Sequence, residues 1–474
     1  MSNLLMARHN IADEEAVPES MPSARQCCDI EDILFSEEIE NYLQRYPNTR
    51  HVEICLHDLN GHVRGKRIDI VGLKNIAQGC YFPMSIYAMS LDGEVIEESG
   101  LGKSIGEPDY LCKPILGSLQ PCALNPESNA QLFLTMKDDN HQDCEVEPRN
   151  ILKKSLRALH DQNFYPCMAA ELEFYLFDSN EKSGSNQIYL NQCFDVNAQD
   201  KYQDVLDEIE RIALLQGIQI TGLVSESSSG QYEINIQHSG DILKLCDQIM
   251  MLKRTIKQVA VEHGLHASFL AKPDLNKAGS GMHFHMSLLN QDQQNIFSMK
   301  QNPLPSRQLL KAISGLIVLL PPSMAVLAPN VNSFRRFKAG NHVPLEANWG
   351  VNNRNVAIRI PRSDNENQRL EYRVAGADCN PYLTAALILI GTLHGLTQNL
   401  EIPQQATQIK NKHQPHFLST NQLDALTFFH RNTVLQKYLG KRFMELWCAV
   451  KRAEHQYMYL SLIHISEPTR QAEI

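Results

Sequence analysis

Glu171-Leu172-Glu173-Phe174-Tyr175-Leu176-Phe177 decides how this chain is to be read. A β-strand turns successive side chains to opposite faces. In this run Glu171 and Glu173 fall on one face, while Leu172, Phe174 and Leu176 fall on the other. The two glutamate Cα atoms would lie about 7 Å apart. Exposed carboxylates are common, so one such strand would be an ordinary wet surface. Four further segments repeat the pattern. Gln231-Tyr232-Glu233-Ile234-Asn235-Ile236-Gln237 puts Gln231, Glu233, Asn235 and Gln237 together. Met282-His283-Phe284-His285-Met286-Ser287 puts both histidines with Ser287. Ile358-Arg359-Ile360 isolates one arginine, and Arg369-Leu370-Glu371-Tyr372-Arg373 aligns two arginines with a glutamate. Lysine, common on solvated sheets, is absent from all five segments. A face made of Glu, His and Arg fits a site better than a wet surface.

Such a face points to metal and phosphate. Crowded carboxylates such as Glu171, Glu173, Glu233 and Glu371 repel one another unless cations neutralise them. Oxygen donors with few imidazoles suit Mg²⁺ or Mn²⁺, and no cluster offers the thiolates or multiple histidines of a zinc site. Arg354, Arg359 and Arg373 suit phosphate and carboxylate oxygens through forked contacts. Divalent metals beside arginines are the equipment of phosphoryl transfer. No G-x-x-x-x-G-K-[ST] loop is present, so the expected site is a metal-dependent nucleotide site on an antiparallel sheet and not a P-loop.

The rest of the 474 residues frames that site. Hydrophobic content of 43% and charged content of 21% are those of a globular protein able to bury a large core. A net charge of −10 argues against nucleic-acid partners. The twelve cysteines show no metal-ligand spacing, and most read as reduced, buried thiols of a cytoplasmic protein. No signal peptide opens the chain. The apolar stretch 312–328 is short for a membrane span and contains Pro321 and Pro322, so it reads as a buried helix followed by a turn, with no membrane partner. Residues 1–32 read as a mobile tail, 33–140 as a small domain of short strands, Lys137–Glu145 as a linker, and 147–460 as one large α+β domain whose first helix starts at Pro148. Val52–Leu56 and Ala130–Met136 read as strands, and Asp58–His62 as a turn.

Several of these segments together resemble the glutamine synthetase family. Lys272-Pro273 followed by Ala278-Gly279-Ser280-Gly281-Met282-His283-Phe284-His285 is similar to its ATP-binding signature. The strands at Ala170–Phe177 and Gly230–Glu233, the arginine segment Asn353-Arg354…Ile358-Arg359-Ile360-Pro361, then Arg369–Arg373 and Asn380-Pro381-Tyr382-Leu383, follow in the family's order over residues 147–400. Asp58–Gly61 with Arg64–Arg67 resembles its N-terminal β-grasp domain. The resemblance implies an α+β fold in which that domain precedes a catalytic half-barrel of antiparallel strands with surrounding helices. It implies one metal held by Glu173, Glu226 and Glu233, and another held by Glu171, His283 and Glu371. ATP, a co-substrate, would lie against His285, Ser287, Arg354 and Arg359. Glutamate would be gripped by Arg336, Arg373 and the backbone at Gly279. Its side-chain carboxylate would attack the γ-phosphate, and an amine would displace phosphate from the acyl phosphate. The family also implies a homo-oligomer, a dodecamer of two hexameric rings.

Departures from the family refine the expectation. His342 stands where ammonia-using members carry a glutamate, and Asp92-Gly93-Glu94-Val95 is the nearest approach to their D-G-S-S loop. The pattern resembles the branch that joins glutamate to putrescine or other polyamines, with glutamine synthetase itself as the alternative. Ala278 replaces the asparagine usual before G-S-G-M-H. The tail 461–474 reads as foreign to the family and is expected to be poorly ordered.

Overall fold

The computed structural model describes residues 24–178, 191–298, 305–338, 343–406 and 417–464. The chain builds two sheets in succession. The first contains β1 (His51–His57), β2 (Val63–Asp69), β3 (Cys80–Pro83), β4 (Asp109–Pro114), β5 (Gln120–Pro121) and β6 (Asn129–Met136). Its order is β2-β1-β6-β4-β3, with β5 on β6. β1 and β6 run parallel and the other pairs are antiparallel. Asp58 closes the β1–β2 turn: its carboxylate accepts the His62 N–H at 2.8 Å and Arg64 Nε at 2.9 Å. Gly61 supplies the left-handed φ of 77° that this turn requires.

The second sheet holds the charged strands. Its members are β7 (Tyr165–Asp178), β8 (Ile220–Ser225), β9 (Gln231–Ser239), β10 (Leu265–Ser268), β11 (Met282–Leu289), β12 (Trp349–Val351), β13 (Ile358–Ile360) and β14 (Leu370–Tyr372). The order is β12-β13-β14-β11-β7-β9-β8, and β10 continues along the end of β7. β12 and β13 are parallel, the remaining pairs antiparallel. The period-two reading holds. Met282, Phe284, Met286 and Leu288 on β11 are fully buried, as are Leu172 and Phe174 on β7.

Nine described helices pack around the two sheets, those at 203–215 and 242–262 against β7–β10 of the second. They are α1 (Ala24–Arg45), α2 (Pro148–His160), α3 (Gln203–Leu215), α4 (Ile242–Glu262), α5 (Arg307–Leu327), α6 (Pro381–Thr397), α7 (Gln422–Arg431), α8 (Thr433–Leu439) and α9 (Lys441–His464). α5 and α6 approach closely because both present glycine: a Cβ on Gly315 would fall 2.1 Å from the Gly391 carbonyl oxygen, and one on Gly395 2.0 Å from that of Lys311. Asn380 caps α6 by accepting the Tyr382 N–H at 3.0 Å, and its Nδ2 donates to the Asp58 and Leu59 carbonyls of the first sheet's turn.

Four sequence expectations change. Residues 24–32 belong to α1 and not to a tail: they extend the helix whose Phe35, Ile39 and Tyr42 are buried, and Asp32 accepts Gln78 Nε2 at 2.8 Å and pairs with Lys113 at 3.4 Å; residues 1–23 lie outside the described residues. The expected linker is a closed turn: Lys137 pairs with Asp143 at 2.7 Å, and Cys144 and Val146 are buried. α5 runs through Pro321 and Pro322 instead of ending there. Each proline removes a donor, but the last turn buries Met324, Val326 and Leu327, which offsets a helix cost of about 3 kcal/mol per proline. This helix is long and apolar enough to cross a membrane, yet 78% of its apolar window is buried in the protein core. Finally, α9 continues past Ser461 to His464, and 465–474 lie outside the described residues.

Candidate active site

Strand register brings the charged residues together. Directly paired residues share a face. Glu173 of β7 stands opposite Glu233 of β9, and Glu171 opposite His283 of β11. His285 stands opposite Glu371 of β14, which in turn faces Arg359 of β13. Glu226, just past β8, joins from the side, its N–H bonded to the Gln231 carbonyl at 2.9 Å.

Oxygen and nitrogen donors on this face form three groups whose atoms lie within 4.8 Å of one another: Glu173, Glu226 and Glu233; Glu171, Glu233 and His283; and Glu171, His285 and Glu371. Glu173, Glu226 and Glu233 are thus brought together as a set. The set Glu171, His283 and Glu371 is divided differently, with His285 beside Glu371 and His283 turned toward Glu233. The reason is position along the strand. His283 lies level with Glu171, and its Nε2 is 3.9 Å from Glu173 Oε1. His285, two residues on, lies level with Glu371.

Hydrogen bonds orient the face. Arg369 Nε donates to His285 Nδ1 at 3.3 Å, which leaves His285 Nε2–H to donate to Glu171 Oε1 at 2.8 Å. His283 Nδ1 is 3.3 Å from Glu171 Oε2. The Gly281 N–H donates to Glu173 Oε2 at 2.7 Å. Arg359 Nη1 donates to Glu371 Oε2 at 2.7 Å, and Arg373 Nη1 donates to the other oxygen. Arg359 and Arg373 each keep a buried Nε with no partner on the protein.

Charge is unevenly balanced. Burial raises Glu171, but its hydrogen bonds with His283 and His285 outweigh it and hold the carboxyl well below its ordinary value. Burial also raises Glu371, while Arg373 and the two histidines pull it down. At Glu233 burial, then the charges of Glu171, Glu173, Glu226 and Glu371, push the carboxyl up to about 10. Burial and Glu173 raise Glu226 to about 7. Without a cation this corner would hold protons that a carboxylate normally sheds. The donor set, rich in oxygen and poor in nitrogen, therefore fits a hard divalent cation.

The remaining expected residues border this centre. Arg336 is 3% exposed, at the end of the single turn Ser333–Arg336. Its Nη1 donates to the Val374 carbonyl at 3.2 Å, and glycines wall it in: a Cβ at Gly279 would lie 2.7 Å from its Cγ, and one at Gly281 3.2 Å from its Nη2. Arg354 is exposed, its guanidinium 5.7 Å from the Phe194 ring centre, and its charge reaches Glu226. Ser287 follows His285 along β11, opposite Cys167. His342 lies outside the described residues.

Sequence reasoning gave no role to three supports of the glycine loop and the histidines. Tyr175 O–H donates to the Ala278 carbonyl at 2.8 Å, Gln231 Nε2 to the Gly279 carbonyl at 3.0 Å, and Arg369 holds His285. Gln231 and Arg369 do share the polar faces of their segments, which was the available signal.

The chain is similar to several proteins of known kind. The family model described as glutamine synthetase, catalytic domain, matches residues 145–466. The γ-glutamylputrescine synthetase PuuA of Escherichia coli (strain K12) is 44% identical over 431 residues, covering 89% of this chain and 91% of that protein. A glutamate–isopropylamine ligase of Pseudomonas sp is 29% identical, covering 77% of this chain and 81% of its own length. A solved GmaS/ADP complex superposes with a TM-score of 0.78 at 26% identity, covering 89% of this chain and 96% of that one.

Proposed function

The chain belongs to the glutamine synthetase family, and from that premise we propose that it activates the γ-carboxylate of glutamate with ATP and transfers the γ-glutamyl group to an organic amine of the putrescine type. The observation that carries the reading is the continuous face Glu233–Glu173, Glu171–His283, His285–Glu371–Arg359, which joins a cation site to phosphate-seeking arginines. The name of the 44% identical relative supports the amine as acceptor.

The residues divide the work. Glu171, Glu173, Glu226, Glu233, His283 and Glu371 would hold Mg²⁺ or Mn²⁺, with His285 closing the group around Glu371. A cation bound there would neutralise phosphate oxygens as the phosphoryl group moves. Arg359 and Arg373, oriented by Glu371, keep donors free for the transferring phosphate and the substrate carboxylate. Arg354 with His285 and Ser287 would border ATP. Arg336 and the backbone at Gly279 would hold glutamate's α-carboxylate, since a buried guanidinium walled by glycine recognises a small anion. Fixing both substrates in line supplies much of the rate. His342 occupies the acceptor position of the resemblance, where imidazole cannot cage ammonium as a carboxylate does. A diamine instead gains binding energy from its carbon chain.

Steady-state phosphate release at saturating glutamate and Mg²⁺ tests the reading. The expected result is a higher kcat/KM with putrescine or another primary amine than with ammonium, and a ratio moved toward ammonium by His342→Glu. A higher kcat/KM with ammonium in the unmodified protein would make it a glutamine synthetase in activity as well as family.

A further inference from the structure

A buried polar chain runs from the last helix to the turn that carries Arg336. It starts at Lys451 and Glu454 of α9, an ion pair of 2.9 Å whose lysine is fully buried. Glu454 Oε1 accepts Asn60 Nδ2 at 2.9 Å and the Leu91 N–H at 3.0 Å, both from the N-terminal part of the chain. Lys451 Nζ donates to Asn60 Oδ1 and, at 3.1 Å, to Asn330 Oδ1. Asn330 Nδ2 donates in turn to Asp378 Oδ2 at 3.1 Å, and Ser333 O–H donates to the same oxygen. Ser333 also closes its own turn: its Oγ accepts the Asn330 N–H at 3.0 Å, and its N–H donates to the Asn330 carbonyl at 3.0 Å.

Three residues after Ser333 the turn ends on Arg336. Asp378 reaches that arginine from a second direction. A Cβ on Gly376 would lie 2.3 Å from Asp378 Oδ1 and 3.3 Å from Arg336 Nη1, so carboxylate and guanidinium flank the same glycine. Asp378 Oδ1 is buried with no hydrogen-bond partner on the protein. Its negative charge stands beside a buried cation that burial otherwise disfavours. A side chain that both ties the turn and balances the guanidinium fixes where Arg336 can sit.

We propose that Asp378 is a positioning residue for Arg336: it anchors the Ser333–Arg336 turn to the buried Lys451–Glu454 pair, so that affinity for glutamate depends on a helix that touches no substrate. The inference rests on the reading of Arg336 as the glutamate-binding arginine. Binding loses strength steeply when a forked donor is misaligned, whereas on the same reading ATP would lie against Arg354 and Arg359. A defect in this chain therefore falls on glutamate and spares the nucleotide.

The test is a KM-against-kcat comparison by phosphate release, with glutamate and ATP varied separately at saturating putrescine. Asp378→Ala is expected to raise the KM for glutamate about tenfold or more, with the KM for ATP within about twofold. Asp378→Asn, which keeps the shape but not the charge, should fall between. The double change Lys451→Met with Glu454→Gln removes the pair without stranding a charge, and it should raise the glutamate KM in the same direction. Circular-dichroism melts identify variants that fail to fold; if Asp378→Ala is lost that way, Asp378→Asn and the double variant decide. An unchanged glutamate KM, or equal rises for glutamate and ATP, overturns the proposal while leaving the ligase reading intact. Unmodified protein that shows no glutamate-dependent phosphate release overturns both.

Discussion

Glu233 is costly to the fold near neutral pH, and the proposed chemistry uses it as a metal ligand. Its carboxyl is raised from an ordinary 4.5 to about 10 by burial and by four neighbouring glutamates. A folded-state value above the unfolded one means stability fully present below about 4.5 and lost as pH rises toward 10. In chelator-treated protein, Glu233→Gln stays neutral and escapes that loss. Its melting temperature should exceed that of the unmodified protein at pH 8, by a margin that widens from about pH 5 to about pH 9. Added Mg²⁺ should stabilise the unmodified protein more than the variant, and the variant should lose amine-dependent phosphate release. A margin independent of pH would show that Glu233 does not hold the extra proton. Alternation along the strand made Glu233 visible in the sequence, because every second residue of β9 turns to one face. Glu226 had no such signal, sitting in a short turn without periodicity, and only the family motif drew it in. The shared face was legible; the distances along it were not, which is why His285 rather than His283 groups with Glu171 and Glu371.

At the scale of elements, helix starts were easier to read than helix extents. Pro148 marks the first turn of α2, since its missing N–H is unneeded there. α5 keeps two prolines inside, and α1 begins among residues with no apolar pattern. In α5 tertiary burial overrides local preference, and at the start of α1 Asp32 is held by distant Gln78 and Lys113; no window of sequence contains either term. Glu147, at the entry to α2, carries a consequence of such burial. Its Oε2 accepts the Met136 N–H at 2.7 Å, Tyr87 O–H at 3.1 Å and Asn150 Nδ2 at 3.2 Å. Burial, opposed in part by these donors, raises it from 4.5 to about 7. Stability from this group is complete below about 4.5 and lost as pH climbs through 7, up to about 3 kcal/mol in all. Glu147→Gln should flatten the fall in urea-unfolding free energy between about pH 5 and pH 8. An unchanged slope would place the proton elsewhere.

For the molecule as a whole, the two sheets are fastened at several points. Arg254 of α4 reaches Glu53 of β1 and donates to Gln131 of β6 at 2.8 Å. Asn380 binds the β1–β2 turn, and Lys451 with Glu454 holds Asn60. Among the described residues, β8 ends the second sheet with one edge unpaired, while apolar Phe194, Val196 and Phe428 are exposed. Surfaces of this kind invite copies of the same chain. We propose the stacked double ring implied by the resemblance, and light scattering should then give roughly twelve times the 53.7 kDa of one chain. A monomer mass at micromolar concentration would refute it.

The ladder of the active face also sets an order of assembly. Glu173, Glu226 and Glu233 belong to β7–β9 and can meet early, but Glu171 waits for His283, 112 residues further along. Glu371 and Arg359 arrive later still. A growing polypeptide therefore first gathers the acidic half of the face, with its mutual repulsion, and only afterwards receives the histidines and arginines that balance it. Closing that long loop is the entropically costly step, and contacts of such sequence separation slow folding. A product that stops before β13 and β14 lacks Arg359 and Glu371 and so leaves the acidic side of the face without the arginine charge that faces it.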